Sequence, residues 1–144
     1  MRYFNFLKNK IHLSFATDDD GRLGLIYIGK ENKKPNSNNL FTPIEVFATG
    51  ENPDEYHGAK HIGSSLSDSL KYISHSETAN EIIFTLQNNK LHIKQHYVFF
   101  NGVNAVRSFA EVENIYTENI GLEYISSFCM YGFDFEKLWL CHNA

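Results

Sequence analysis

Cysteine, basic charge and long apolar runs are scarce in this chain, and each scarcity excludes a class of protein. Two cysteines occur, Cys129 and Cys141, at a spacing that fits no zinc motif. We expect both to be free, buried thiols in a reducing compartment. No apolar run approaches the roughly 20 residues of a membrane span, and the first residues lack the unbroken apolar stretch of a signal peptide. The sequence therefore predicts a soluble cytoplasmic protein without a membrane partner.

The chain also lacks a net positive charge and phosphate-binding motifs. The net charge of −4 argues against an extended nucleic-acid interface, which requires a basic surface, so we expect no nucleic-acid partner. The sequence contains no glycine-rich phosphate loop, no GxSxG nucleophile elbow and no cysteine–histidine pair of recognisable spacing. We accordingly expect no cofactor, and these motifs assign no catalytic or cofactor-binding residue.

Aromatic residues, by contrast, are abundant at 15% of the chain, with 12 Phe and 8 Tyr. Flat rings pack well across neighbouring strands, so this composition favours β structure. The length of 144 residues suits one domain whose core needs no disulfide. We therefore predict a single domain over residues 1–144 with very little α-helix.

The most regular pattern runs from Glu81 to Gly132, where apolar and polar residues alternate with a period of two. Asn88-Asn89 interrupts it as a turn, and Asn101-Gly102 does so as a two-residue hairpin, because Asn and Gly tolerate positive φ. Further strands are predicted from about Asn104 and from about Leu122. The segment is interpreted as one continuous antiparallel sheet with long strands, which predicts an all-β fold, a large two-sheet antiparallel β-sandwich.

Other stretches predict further strands outside this segment. The one at Arg22–Ile28 follows an Asp- and Gly-rich turn and is apolar on both faces, so we expect it in the centre of a sheet. Two long polar segments, 30–42 and 50–65, are interpreted as loops. The remaining predicted strands are Arg2–Leu7, Ile11–Phe15, Ile44–Ala48, Leu66–Ser74 and Asp134–Cys141.

The histidines were tested as metal ligands. His57 and His61 are four residues apart, but Gly58 argues against the helix that would bring their rings together. His92 and His96 have the same spacing on a predicted strand, where a rise of about 3.3 Å per residue places them too far apart to chelate one ion. The sequence therefore predicts no metal site.

Carboxylates were considered for acid–base chemistry, because paired carboxylates hydrolyse glycosides. Glu111 and Glu113 share one face of a predicted strand with Arg107 and Phe109, so this face is either a solvated surface with compensated charge or a sugar-binding face. Asn-rich loops and exposed Tyr residues would also suit carbohydrate binding. The other candidate carboxylates are Asp54, Glu55 and Glu123.

Several phrases together resemble a known family. They are IHLSF, LGLIYIGK, GSSLSDSLKYISH (63–75), residues 81–91, HYVFFNGVNAVRSFAEVEN (96–114) and GLEYISSFCMYG (121–132). In this order and spacing they resemble the N-terminal β-sandwich domain of the α-galactosidases (melibiases) of glycoside hydrolase family 36. The resemblance implies a supersandwich of the galactose-mutarotase-like kind, within a longer, oligomeric, cytoplasmic enzyme that hydrolyses terminal α-galactosides with retention.

The catalytic aspartates of that family lie in a following (β/α)8 barrel, so the resemblance assigns no catalytic residue to this chain. The only Trp, Trp139, lies in an apolar segment that ends three residues before the last residue. Because domains usually end in polar residues, we interpret the chain as an N-terminal fragment of a longer glycosidase. The expected function is then non-catalytic: to support the barrel and oligomerisation. The expected partners are the barrel of the same parent chain and further copies, with galactoside bound only by the full-length enzyme.

Two alternatives remain open at this point. The first is a stand-alone carbohydrate-binding module, which requires an exposed aromatic platform. The second is a mutarotase-like sugar epimerase, in which His96 acts as the acid and Glu111 or Glu123 as the base on a concave sheet.

Overall fold

The computed structural model describes residues 1–31, 40–50 and 63–130. In these ranges the chain is nearly all β, so the predicted antiparallel, sandwich-like all-β fold is confirmed. None of the helices in the described ranges has the length and apolar character needed to cross a membrane. In chain order the elements are β1 (Arg2–Lys8), β2 (Ile11–Thr17), β3 (Leu23–Gly29), β4 (Val46–Ala48), α1 (Ser65–Asp68), β5 (Lys71–Glu77), β6 (Glu81–Gln87), β7 (Leu91–Phe99), β8 (Val106–Asn114) and β9 (Leu122–Ile125).

The strands of the described ranges form three antiparallel sheets, in the orders β1-β2-β3, β5-β6-β7-β8 and β4-β9. The predicted continuous sheet is thus correct for β6, β7 and β8 but wrong for β9. Asn114 ends β8 because its side chain accepts a hydrogen bond from Tyr116 N and donates one to Glu118 O, which turns the chain away. β9 then pairs with β4 through Val46 and Ile125.

Two turns show how local sequence fixes the hairpins. Asn9 and Lys10 both have positive φ, 47° and 65°, which gives a tight β1–β2 turn. The predicted two-residue hairpin at Asn101-Gly102 is wrong, because β7 ends at Phe99 and β8 begins at Val106. The Phe100 carbonyl accepts hydrogen bonds from Asn9 Nδ2 at 2.7 Å and Val103 N at 3.2 Å, so it is occupied by the loop.

Within the described ranges β3 is not central, contrary to the prediction from its apolar faces. Among the described strands it pairs with β2 alone. On the face at Gly24 a loop segment covers the strand: a Cβ at Gly24 would lie 3.1 Å from a Leu40 side-chain atom and 3.2 Å from the Phe41 carbonyl. Glycine at position 24 therefore lets the chain at 40–41 cover the strand.

The start of the predicted strand Leu66–Ser74 is replaced by the single turn of α1. Ser64 is its N-cap, since the Ser64 side chain accepts a hydrogen bond from Ser67 N at 2.9 Å. Leu66 and Leu70 are still buried, as expected of apolar anchors, but the strand itself begins at Lys71.

The core lies between the sheet β1-β2-β3 and the sheet β5-β6-β7-β8, with Phe84 at its centre. The Phe84 ring contacts Phe15 at 4.4 Å between centroids, Phe4 at 5.9 Å and Phe6 at 6.0 Å. Most of these rings are tilted or edge-on, the arrangement that aromatic pairs prefer. One face of the four-stranded sheet is therefore committed to packing, and the residues that alternate with it lie on the opposite face.

Four sequence-based predictions lie outside the described residues. They are the strand Asp134–Cys141, the histidines His57 and His61, the carboxylates Asp54 and Glu55, and most of the two long loops.

Candidate functional site

The outer face of β7 and β8 carries rows of charged side chains. Strand register places His92 opposite Glu113 and Lys94 opposite Glu111. The closest approaches are 3.5 Å from His92 Nδ1 to Glu113 Oε2 and 4.0 Å from Lys94 Nζ to Glu111 Oε2. These are cross-strand pairs on a half-exposed surface, which contribute little stability each. Of the two interpretations of this face, the geometry favours a surface with compensated charge.

Phe109 does not form an open aromatic platform for a sugar ring. The His96 ring stacks on it with 4.4 Å between centroids and 9° between planes. The guanidinium carbon of Arg107 lies 5.0 Å from its centroid. Two side chains of the protein thus occupy the surface that a sugar-binding face would need.

His96 is the most constrained side chain on this outer face, being only 9% exposed. Its Nδ1 lies 2.8 Å from Glu81 Oε1, and since an ionised carboxylate can only accept, Nδ1 is the donor. Its Nε2 is buried without a hydrogen-bond partner, and Glu111 Oε1 is 3.7 Å away. Sequence reasoning missed Glu81, although the β6–β7 register, with Ile83 opposite His96, makes Glu81 a diagonal neighbour of the histidine.

The hollow beside these strands does not contain both His96 and its proposed base Glu111, although His96 Nε2 lies 3.7 Å from Glu111 Oε1. A hollow of about 200 Å³ beside the strands is lined by His92, Lys94, Glu111, Val112 and Glu113, and His96 is not among them. Glu123 lies on β9, in another sheet. The mutarotase-like alternative therefore gains no support from either pair.

Metal binding has no support in the part of the chain that the structure describes. No group of three or more His, Cys, Asp or Glu side chains there could hold an ion. His92 and His96 instead each face a carboxylate of a neighbouring strand.

A second region, which sequence reasoning missed, is a cleft of about 440 Å³ that we call the Tyr116 cleft. Its lining includes Thr49, Lys90, Tyr116, Glu118, Asn119 and Ile120. These residues come from three separated segments, so no local sequence motif indicates the cleft. The abundance of Asn in loops and of exposed Tyr was the one sequence signal that pointed towards it.

Backbone hydrogen bonds fix the walls of this cleft. Ile115 N donates to Lys90 O at 2.9 Å, and Thr49 N donates to Gly121 O at 2.8 Å. Tyr116 N donates to Asn114 Oδ1 at 2.9 Å, and the Lys90 ammonium lies 5.9 Å from the centroid of the Tyr116 ring. The cleft is therefore held between segments that are already ordered by the fold.

A buried polar network surrounds β4 of the short sheet. Val46 N donates to Ser67 Oγ at 2.8 Å, Ser64 Oγ donates to Val46 O at 2.7 Å, and Glu45 N donates to Ser126 Oγ at 2.8 Å. Burial raises the pKa of the Glu45 carboxyl, although its hydrogen bond with Ser67 acts in the opposite direction. The network ties β4 to α1 and to the residue after β9.

Two further buried groups have perturbed acidity. Burial raises the pKa of the Tyr97 phenol, and the nearby Cys129 thiol adds to the effect. Burial also raises the pKa of the Cys129 thiol to about 11. Cys129 is free and partly buried, in line with the prediction for this cysteine, whereas Cys141 lies outside the described residues. A thiol that stays protonated in this way is a poor nucleophile.

Comparisons with protein-family models, with curated proteins and with solved structures found no match for this chain. The resemblance to family 36 glycosidases thus stays a prediction from the sequence.

Proposed function

We propose that this chain is a non-catalytic β-sandwich domain of an α-galactosidase-like glycosidase, which supports the catalytic (β/α)8 barrel of the same protein and its oligomerisation. The observation that carries the proposal is the set of contacts that residues of the resembling sequence phrases make in the structure. In the phrases described below, polar side chains connect separate strands and segments of the sandwich. Such a role is the one expected of a supporting domain.

The phrase GSSLSDSLKYISH illustrates this use. Ser64 and Ser67 exchange hydrogen bonds with the backbone of Val46, which fixes β4 to α1. Further along, Tyr72 Oη lies 2.9 Å from His75 Nδ1, and both rings pack on Phe4, at 5.1 and 5.0 Å between centroids. Each of these contacts joins two parts of the scaffold.

The Arg-Ser and Ser-Ser phrases are used in the same way. Gln95 is fully buried, and its Nε2 donates to Ser108 Oγ at 2.6 Å and to Ser127 O at 2.9 Å. Ser126 accepts from Glu45 N through its side chain and donates its own backbone N–H to Glu45 O at 2.9 Å. The two phrases together connect β7 and β8 to the residues that follow β9, and those residues to Glu45 beside β4.

The proposal includes a cytoplasmic location, and galactoside engaged as a substrate through the full-length enzyme only. A protonated, free Cys129 is compatible with a reducing compartment. The proposed parent enzyme would act on terminal α-galactosides, with its nucleophile and its acid–base residue both supplied by the barrel.

The experiment compares two proteins in a nitrophenyl α-galactoside assay. One is residues 1–144 alone, and the other is the product of the whole reading frame in which these residues are encoded. We expect turnover from the longer protein and none from residues 1–144. Turnover by residues 1–144 alone, or a reading frame that encodes no barrel, would contradict the proposal.

A further inference from the structure

The Tyr116 cleft combines an aromatic surface with side chains that both donate and accept hydrogen bonds. Its volume of about 440 Å³ falls in the range of roughly 300–1,000 Å³ that is typical of small-molecule sites. We propose that the Tyr116 cleft binds a neutral saccharide. This goes beyond a supporting role, and it holds whether or not a catalytic barrel follows in the same protein.

The aromatic part of the cleft remains available. Tyr116 is 42% exposed even though the Lys90 ammonium lies 5.9 Å from its ring centroid. A pyranose ring presents a flat face of C–H groups, which can pack on such a surface and remove apolar area from water. Neighbouring Ile120 adds a second apolar patch to the lining.

The polar part of the cleft suits hydroxyl groups. Asn119 offers an amide donor and an amide acceptor, Glu118 a carboxylate acceptor and Thr49 a hydroxyl that can do either. Each sugar hydroxyl likewise both donates and accepts. This mixture matches a polyhydroxylated ring better than it matches a purely apolar ligand.

The charges of the lining favour a ligand without net charge. Lys90 contributes one positive charge and Glu118 one negative charge, so the two compensate each other. A phosphate or a nucleotide would face the Glu118 carboxylate and meet no cluster of basic groups of the kind that recognises phosphates. A neutral sugar meets neither difficulty.

The cleft is also preformed, which reduces the ordering cost of binding. The bonds Ile115 N to Lys90 O and Thr49 N to Gly121 O hold its walls before any ligand arrives. The side chain of Asn114 fixes the turn that presents Tyr116. A ligand therefore enters a site built by the fold and does not have to organise a loop.

The experiment titrates residues 1–144 with D-galactose and D-glucose at millimolar concentration and follows backbone amide chemical shifts by NMR. Sorbitol and glucose 6-phosphate serve as ligand controls, because the first lacks the flat ring face and the second adds charge. We expect saturable shifts with at least one of the two sugars, centred on residues 116–121 and Thr49. Both control ligands should bind more weakly.

Four substitutions make the test specific. Tyr116→Ala should weaken binding about tenfold or more, since it removes the stacking surface, and Tyr116→Phe should largely retain it. Asn119→Ala is a second exposed variant that should weaken binding in case Tyr116→Ala does not fold. Tyr3→Ala, at another exposed tyrosine outside the cleft, should leave binding unchanged.

The proposal is overturned if neither sugar causes saturable shifts, or if the shifts map away from the cleft. The proposal is also overturned if sorbitol binds as tightly as the sugars, because the aromatic surface would then not recognise the flat face of a sugar ring. A lack of effect in both Tyr116→Ala and Asn119→Ala has the same meaning. None of these outcomes bears on whether the longer protein hydrolyses α-galactosides.

Discussion

The imidazole of His96 lies parallel to the ring of Phe109, with 4.4 Å between centroids, while its Nδ1 reaches the Glu81 carboxylate at 2.8 Å. One side chain of β7 therefore makes specific contacts with both neighbouring strands. His96 is almost completely buried and joins β6, β7 and β8 on the face that also carries Lys94, Glu111 and Glu113.

Replacing this histidine should destabilise the four-stranded sheet. We expect His96→Ala to lower the free energy of unfolding by about 2 kcal/mol, through loss of the stacking and of a charge-assisted hydrogen bond. The measurement is urea unfolding monitored by circular dichroism. His92→Ala is the matched control, since His92 is more exposed and pairs at 3.5 Å with a Glu113 that is 71% exposed. Equal losses in the two variants would contradict a special role for His96.

Ser67 is expected to stabilise the fold through its hydrogen bond with the backbone of Val46. In Ser67→Ala the buried Val46 N–H loses its acceptor at 2.8 Å, and an unpaired buried donor costs about 1–3 kcal/mol. The same unfolding experiment gives the difference in free energy. Ser76→Ala, at an exposed serine of β5, should change it by less than about 0.5 kcal/mol. A neutral Ser67→Ala would show that the network around β4 is dispensable.

Glu45 should give the protein a specific pH dependence. Its pKa is raised in the folded state above the ordinary value of 4.5, so the folded protein holds this proton over a pH range in which the unfolded chain has released it. Stability from this group is therefore present below 4.5 and is lost as pH rises through the folded-state pKa.

Glu45→Gln removes that titration while keeping the shape of the side chain. We expect the stability of the native protein relative to Glu45→Gln to fall as pH rises from 4.5 towards neutrality, as measured by denaturant unfolding at several pH values. A difference that is independent of pH, or that grows with pH, would mean that burial does not raise the pKa of this carboxyl.

Cys129 should react slowly with alkylating reagents. Its pKa rises from 9.0 to about 11, so at neutral pH it has about a hundredfold less thiolate than an unperturbed thiol. The rate of iodoacetamide labelling, followed by mass spectrometry in a Cys141→Ser background, should keep increasing with pH beyond 9.0. Free cysteine in the same reaction provides the reference. A rate that levels off near neutral pH would contradict the raised pKa.

The sequence predicted best the features that depend on neighbouring residues. Period-two alternation identified Ile82, Phe84 and Leu86 as one buried row, and all three are buried in β6. The turn of the first hairpin is local in the same way, since its positive φ values belong to Asn9 and Lys10 alone. In both cases the physical cause lies within a few residues of its effect.

Features that depend on contacts between distant segments could not be predicted from the sequence. β9 pairs with β4, some 75 residues earlier in the chain, and nothing in the local pattern of Leu122–Ile125 identifies that partner. The apolar faces of β3 were interpreted as a central position, whereas Leu40 and Phe41 cover the strand over Gly24.

The candidate sites show the same division. His96 was identified from its strand face, but its Glu81 partner depends on strand register. The Tyr116 cleft needs three segments to meet, so its residues carry no common sequence signal.

The central claim is that this domain supports a catalytic barrel. The most direct measurement compares the α-galactosidase activity and thermal stability of the proposed full-length enzyme with those of its proposed barrel produced without residues 1–144, before and after these residues are added back as a separate chain. We predict that the barrel alone is less stable and less active and that the added domain restores both properties. A barrel that is equally stable and active without the domain would contradict the account.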